Sequence, residues 1–197
     1  EQWMEQRNEV MSGGHCDGMA VLSLLFYLNQ LKVEDFGSSS VNTLQLEGNH
    51  KLQREIAYWW ATQATEPTRS ARDNNELTPR EVVNELIKAF KADRHSELYT
   101  IAIWKRDGKG GHAVTPFAVE DRGNGIFAIL VYDNNHPNIA REMIIDSNAD
   151  IWRYNASVNP NAPEKLYEGD ADTKTLLLTP TSFRLQLQQC PFCQETI

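Results

Sequence analysis

The sequence predicts an α+β domain, with helices in its first part and an antiparallel sheet in its second. Apolar residues at helical spacing fill the first two fifths of the chain. Short runs rich in β-branched and aromatic residues, separated by turn signals, fill the rest. The 197 residues are 41% hydrophobic and 23% charged, ordinary globular usage that excludes a disordered, collagen-like or coiled-coil chain. A mass of 22.4 kDa suits one domain, or one with a small appendage. The expected layout is a single domain over about 1–185, helical over about 1–95 and sheet over about 96–185, with a tail over 186–197.

The first expected helix covers 17–30, where Met19, Ala20, Val21, Leu22, Leu24, Leu25, Phe26 and Leu28 leave almost no polar face. A helix apolar all round belongs in the middle of a domain. The second covers 49–65, with Leu52, Ile56, Trp59 and Trp60 at helical spacing. The third starts after Thr78: Thr78 caps, Pro79 fits the first turn, and Glu81 completes a capping box ahead of Val82, Val83, Leu86, Ile87 and Phe90. A polar loop is expected over 66–76.

Strands are expected over 98–104, 113–119, 126–132, 142–145, 151–154 and 176–179. Asp121-Arg122-Gly123-Asn124-Gly125 joins the second to the third as a hairpin, and Asp146-Ser147-Asn148 joins the fourth to the fifth. The stretch 155–163 reads as turns. The aromatic groups Tyr58-Trp59-Trp60 and Trp152-Arg153-Tyr154 are read as core packing.

The net charge is −8, and the densest basic cluster, Lys105-Arg106 with Lys109, is interrupted by Asp107. A duplex-binding domain carries a basic stripe that is missing here, so neither nucleic acid nor a membrane is expected as a partner. No apolar run approaches the roughly 18 residues that span a bilayer, and no signal peptide is visible, so a soluble domain is expected. The chain opens on Glu1 rather than Met, so it is expected to be one domain of a larger protein, with other domains of that chain as partners.

Ser12-Gly13-Gly14-His15-Cys16-Asp17-Gly18-Met19 puts a lone cysteine at the start of the buried helix. Free N–H groups and the helix dipole there favour a thiolate, and the same amides can donate to an oxyanion. A thiol nucleophile needs a base. His15 adjoins the cysteine and points elsewhere, while His50, His95 and His136 lie in polar helical or turn settings. His112 follows Gly108-Lys109-Gly110-Gly111 and opens a strand, so it is held on a rigid element. The return strand ends at Asp133-Asn134-Asn135, and hairpin pairing carries that end back beside His112. Asp133 is therefore the expected orienting carboxylate, with Asn134 or Asn135 as alternatives.

Three segments carry a family resemblance: Gly13-Gly14-His15-Cys16-Asp17-Gly18-Met19 on a central helix, Gly110-Gly111-His112-Ala113-Val114 opening a strand, and Val131-Tyr132-Asp133-Asn134-Asn135 closing the next. Together they resemble papain-like cysteine peptidases, closer to bacterial double-glycine or effector-type members than to cathepsins. The resemblance implies a papain-like fold and a catalytic triad in which Cys16 is nucleophile, His112 general base and acid, and Asp133 the orienting group. It implies a thiol protease, a hydrolase acting on a peptide or protein substrate with no cofactor. Many such enzymes place a Gln oxyanion donor six residues before the nucleophile. That position is Val10 here, and Asn8 or Gln6 are the expected substitutes. Two other functions fit the same residues: acyl transfer, as in transglutaminase-like or arylamine-acetyltransferase-like enzymes, and an inactive papain-like module that binds a peptide or protein.

In the tail, Cys190-Pro191-Phe192-Cys193 has zinc-knuckle or redox-dithiol spacing. One pair cannot close a four-ligand metal site. Cys190 and Cys193 are therefore read as half of a zinc site continued elsewhere, a local disulfide or two free thiols, and no metal is assigned.

Overall fold

The computed structural model describes residues 2–92, 97–157 and 161–191. It is a mixed helix and sheet fold in which the helices come first, as expected. Helix α1 spans Gln2–Met11, α2 Cys16–Tyr27, α3 His50–Thr62, α4 Thr68–Asp73 and α5 Pro79–Lys91. Short 3₁₀ turns at Val33–Phe36 and Val41–Thr43 connect α2 to α3. The strands are β1 Tyr99–Trp104, β2 Gly111–Gly123, β3 Ile126–Tyr132, β4 Ala140–Asp146, β5 Ile151–Ala156, β6 Lys165–Asp170 and β7 Leu176–Pro180, and α6 (Thr181–Arg184) follows.

All pairings in the sheet are antiparallel, in the order β6-β5-β4-β3-β2-β1-β7. The sheet curls into a half-barrel. The curl brings β6 back toward the end of β1, where Arg106 Nη1 pairs with Asp170 at 2.9 Å and the Lys105 ammonium sits 5.6 Å from the centre of the Tyr167 ring.

Two apolar cores result. The larger lies inside the half-barrel and under α5, built from Val82, Leu86, Ile101, Ile129, Met143, Trp152 and Leu178 among others. The smaller packs α2 on α3 and the 3₁₀ turns through Val21, Leu22, Leu25, Phe36, Leu52 and Ile56. Helix α2 buries residues on nearly every face, as its sequence requires, because it runs between the helices and the sheet. Ser23 and Thr115 link the two sides: their hydroxyls lie 3.0 Å apart, and Thr115 Oγ1 also donates to the Ala20 carbonyl at 3.1 Å.

The capping box of α5 forms as read. The Glu81 amide donates to Thr78 Oγ1, and the Thr78 amide donates to Glu81 Oε2. The packing role of the aromatic groups holds for Trp60, Trp152 and Tyr154, which are buried, whereas Tyr58 is 56% exposed.

The expected polar loop at 66–76 instead contains α4. Glu66 closes its start by accepting from the Ser70 amide at 3.1 Å and from Arg69 Nε at 2.8 Å. The stretch expected as turns at 155–163 begins inside β5, which runs to Ala156, and its residues 158–160 lie outside the described residues. Strand β6 follows, and its inward positions include only one large apolar side chain, Tyr167. Past residue 185 the chain stays bonded to the helices: Gln188 Oε1 accepts from the hydroxyls of Thr65 and Thr68, and the Gln189 amide donates to the Glu66 carbonyl at 2.7 Å. Cys190 is disulfide-bonded, and Cys193 lies outside the described residues, as does His95. Among the described residues no helix is long and apolar enough to cross a membrane.

Gly18 sets how closely α2 and α3 approach. A Cβ there would stand 2.1 Å from the Ile56 carbonyl oxygen and 3.0 Å from Trp60 Cβ. Helix propensity alone favours alanine by about 1 kcal/mol. The backbone clash outweighs that gain, so Gly18→Ala is expected to lose at least about 2 kcal/mol in urea unfolding. An unchanged or raised midpoint would mean that the helices are not in this contact.

Candidate active site

The nucleophile candidate sits where the backbone leaves α1 and enters α2. Gly14, at φ +148°, makes the turn in a region that disfavours other residues. His15 is the N-cap of α2 and makes no side-chain capping bond, so the first-turn amides from Cys16 onward are left without a side-chain partner. Cys16 is a free, half-buried cysteine at this position. Its carbonyl is held by the Asn134 side-chain amide at 3.1 Å.

His112 is the second residue of β2, opposite Ile103 on β1. Thr115 pairs with Tyr132 across the β2–β3 hairpin, so the residue after Tyr132 comes level with the beginning of β2. That residue is Asp133, and His112 Nε2 lies 2.9 Å from its Oδ1. Both side chains are almost fully buried, at 1% and 0% exposure. The structure thus brings His112 and Asp133 together, as the hairpin reasoning requires.

Asp133 is well supplied with donors. Besides the His112 ring, its Oδ1 accepts from the Asn135 amide at 2.9 Å and its Oδ2 from the Tyr154 hydroxyl at 2.7 Å. Burial pushes its carboxyl up, yet the bonds from His112, Tyr154 and Asn135 together hold it below the usual carboxylate range. Tyr154 is raised by burial and then by the charge on Asp133, so it stays a phenol and donates. An ionised Asp133 can only accept, so Nε2 carries the proton of the shared bond. Nδ1 is then the nitrogen left for Cys16.

Burial by itself lowers the His112 pKa. The hydrogen bond to Asp133, then that to Cys16, then the charges on both groups outweigh it and raise the value to about 9. At neutral pH the ring is therefore an imidazolium beside a sulfur and a carboxylate.

The other sequence candidates stand apart. Asn134 and Asn135 do not orient the ring: the former holds the Cys16 carbonyl and the latter donates to the Ser157 carbonyl at 2.6 Å. Each amide reaches backbone, and the carboxylate that precedes them takes the imidazole. Gln6 and Asn8 are exposed on α1, and the structure gives neither side chain a bond to the centre. His15 and His50 are exposed, and His136 faces Glu164 at 3.5 Å. Among the described residues no three His, Cys, Asp or Glu side chains gather as metal ligands. Sequence reasoning missed Tyr154, whose hydroxyl is indistinguishable from a packing tyrosine in a strand pattern. A cavity of about 210 Å³, lined by Met19, Leu46, Ile56, Tyr132 and Asn134 among others, opens beside the Asn134 end of the site.

The His112 pKa lies above its usual 6.5, so the stabilisation that it brings is complete below about pH 6.5 and lost as pH rises toward 9. We expect the unfolding free energy to fall by about 3 kcal/mol over that interval. In Asp133→Asn the decline should largely disappear. An equal decline in both proteins, followed by urea unfolding from pH 6 to 9.5, would contradict the coupling.

Comparison with known proteins leaves the site to be read from its own geometry: no family model, no curated protein and no solved structure matches the chain.

Proposed function

We propose that this domain is a papain-like thiol hydrolase that cleaves a peptide or isopeptide bond. The observation that supports it most is the buried His112–Asp133 bond at 2.9 Å, with Cys16, at the start of α2, as the ring's other polar partner. A histidine so oriented by a carboxylate and so close to a thiol is the arrangement that activates a nucleophile. A cysteine that merely filled space would need neither.

In the proposed reaction the Cys16 thiolate adds to the substrate carbonyl carbon, and the carbonyl electron pair moves to oxygen. First-turn amides of α2 donate to that oxyanion. As the tetrahedral adduct collapses, the C–N bond breaks and the His112 imidazolium gives its Nδ1 proton to the leaving amine. The product is a thioester on Cys16. Neutral His112 then takes a proton from water, whose oxygen attacks the thioester and releases the acid. The Cys16 sulfur leaves as thiolate, and the imidazolium is restored. Asp133 stays ionised throughout and holds the ring. The apolar cavity beside Asn134 offers room for an apolar substrate side chain.

Two measurements test the proposal. Iodoacetamide should label Cys16 at neutral pH at least about tenfold faster than in His112→Ala, because deleting the imidazolium removes the thiolate's partner. Equal rates would count against an activated thiol. Incubation with a mixed peptide library, read by mass spectrometry, should give new termini that vanish in Cys16→Ser, and the rate should fall above about pH 9 as the imidazolium proton is lost. Products joined to an added amine rather than to water would turn the reading to acyl transfer.

A further inference from the structure

Asp17 directly follows the nucleophile candidate and is buried, at 7% exposure, in the first turn of α2. A carboxylate in that place opposes a second negative charge on its neighbour, and burial strengthens the opposition. Its partner comes from the other end of the chain. Arg184, the last residue of α6 and 1% exposed, grips Asp17 with both arms of its guanidinium. Nη1 donates to Oδ2 at 2.9 Å and Nη2 to Oδ1 at 2.7 Å, the bidentate geometry that only arginine provides.

The same guanidinium also reaches the neighbouring elements. Nη1 donates to Thr62 Oγ1 at 2.9 Å and more weakly to the Trp59 carbonyl at 3.4 Å, both on α3, and Nη2 lies 3.5 Å from Thr100 Oγ1 on β1. The α6 segment is itself pinned: the Thr181 amide donates to the Leu98 carbonyl at 2.8 Å, and Ser182 bonds Glu97 through its amide and hydroxyl. One buried cation therefore joins the start of α2, α3 and the sheet.

We propose that Arg184 is a positioning residue of the thiol centre. It fixes the first turn of α2 and cancels the Asp17 charge, so that Cys16 can carry its own charge beside His112. This inference rests on the thiol reading given above. Other titratable or charged groups facing Cys16 are His112 from β2 and Tyr167 from β6, with Lys105 over the Tyr167 ring and the exposed His15 next in sequence. None of these contacts Asp17, so the Asp17 charge is left to Arg184.

A purely structural clamp and a charge partner predict different things when both charges are removed. Replacing a buried ion pair by uncharged groups is often harmless to folding, whereas removing one member is not. The test compares wild type, Arg184→Met, Arg184→Lys, the double variant Asp17→Asn/Arg184→Met, and His112→Ala. Each is followed by its iodoacetamide rate from pH 5 to 9 and by its melting curve.

Arg184→Met should react about tenfold more slowly than wild type at pH 6.5, its profile displaced upward by about one pH unit. The double variant should recover to within about threefold of wild type. A folded Arg184→Met that reacts like wild type overturns the proposal. So does a folded double variant that stays as slow as the single one. Should Arg184→Met fail to fold, Arg184→Lys and the double variant decide: both fast supports the charge role, and a slow double variant rejects it. Wild type no faster than His112→Ala would instead sink the thiol reading itself.

Discussion

The site depends on one buried hydrogen bond between an imidazole and a carboxylate. Neither His112 nor Asp133 reaches solvent, so each must find its partners inside the protein. Asp133 finds three donors and His112 two acceptors, which turns a costly pair of buried groups into a fixed one. The ring can neither rotate nor change the nitrogen it offers. Whatever Cys16 meets at Nδ1, it meets in one orientation.

The rest of the fold serves that constraint. The β2–β3 hairpin delivers both partners from a single register, Thr115 against Tyr132, so their meeting needs no long-range coincidence. Cys16 arrives independently, on a helix wedged between two cores and sewn to β2 through Ser23 and Thr115. Asn134 then joins the two deliveries by holding the Cys16 carbonyl from the residue next to Asp133. Gly18 permits the close α2–α3 packing that keeps the start of α2 in place. Strand pairing and helix packing therefore fix the site from two directions.

Much of this was legible because the signals were local. The capping box of Thr78 and Glu81, the uniform apolar run of α2 and the Asn124-Gly125 turn each constrain the backbone within a few residues. Hairpin register then carried Asp133 to His112 by geometry alone. What stayed hidden was tertiary. Strand β6 buries only Tyr167 and Gly169, so no apolar period of two could mark it. Helix α4 is six residues long and is started by the Glu66 side chain rather than by a preferred capping residue. The hydroxyl of Tyr154 and the guanidinium of Arg184 act on residues 21 and 167 positions away, a distance at which spacing carries no information.

The charge state of the His112 ring at neutral pH tests the account most directly. Nitrogen-15 shifts of that ring should report an imidazolium that titrates near pH 9 while the Cys16 thiol is free. Once Cys16 is blocked with iodoacetamide and one partner is lost, the midpoint should move down. A neutral ring titrating near 6.5, indifferent to the state of the sulfur, would show that the three groups do not form one coupled centre.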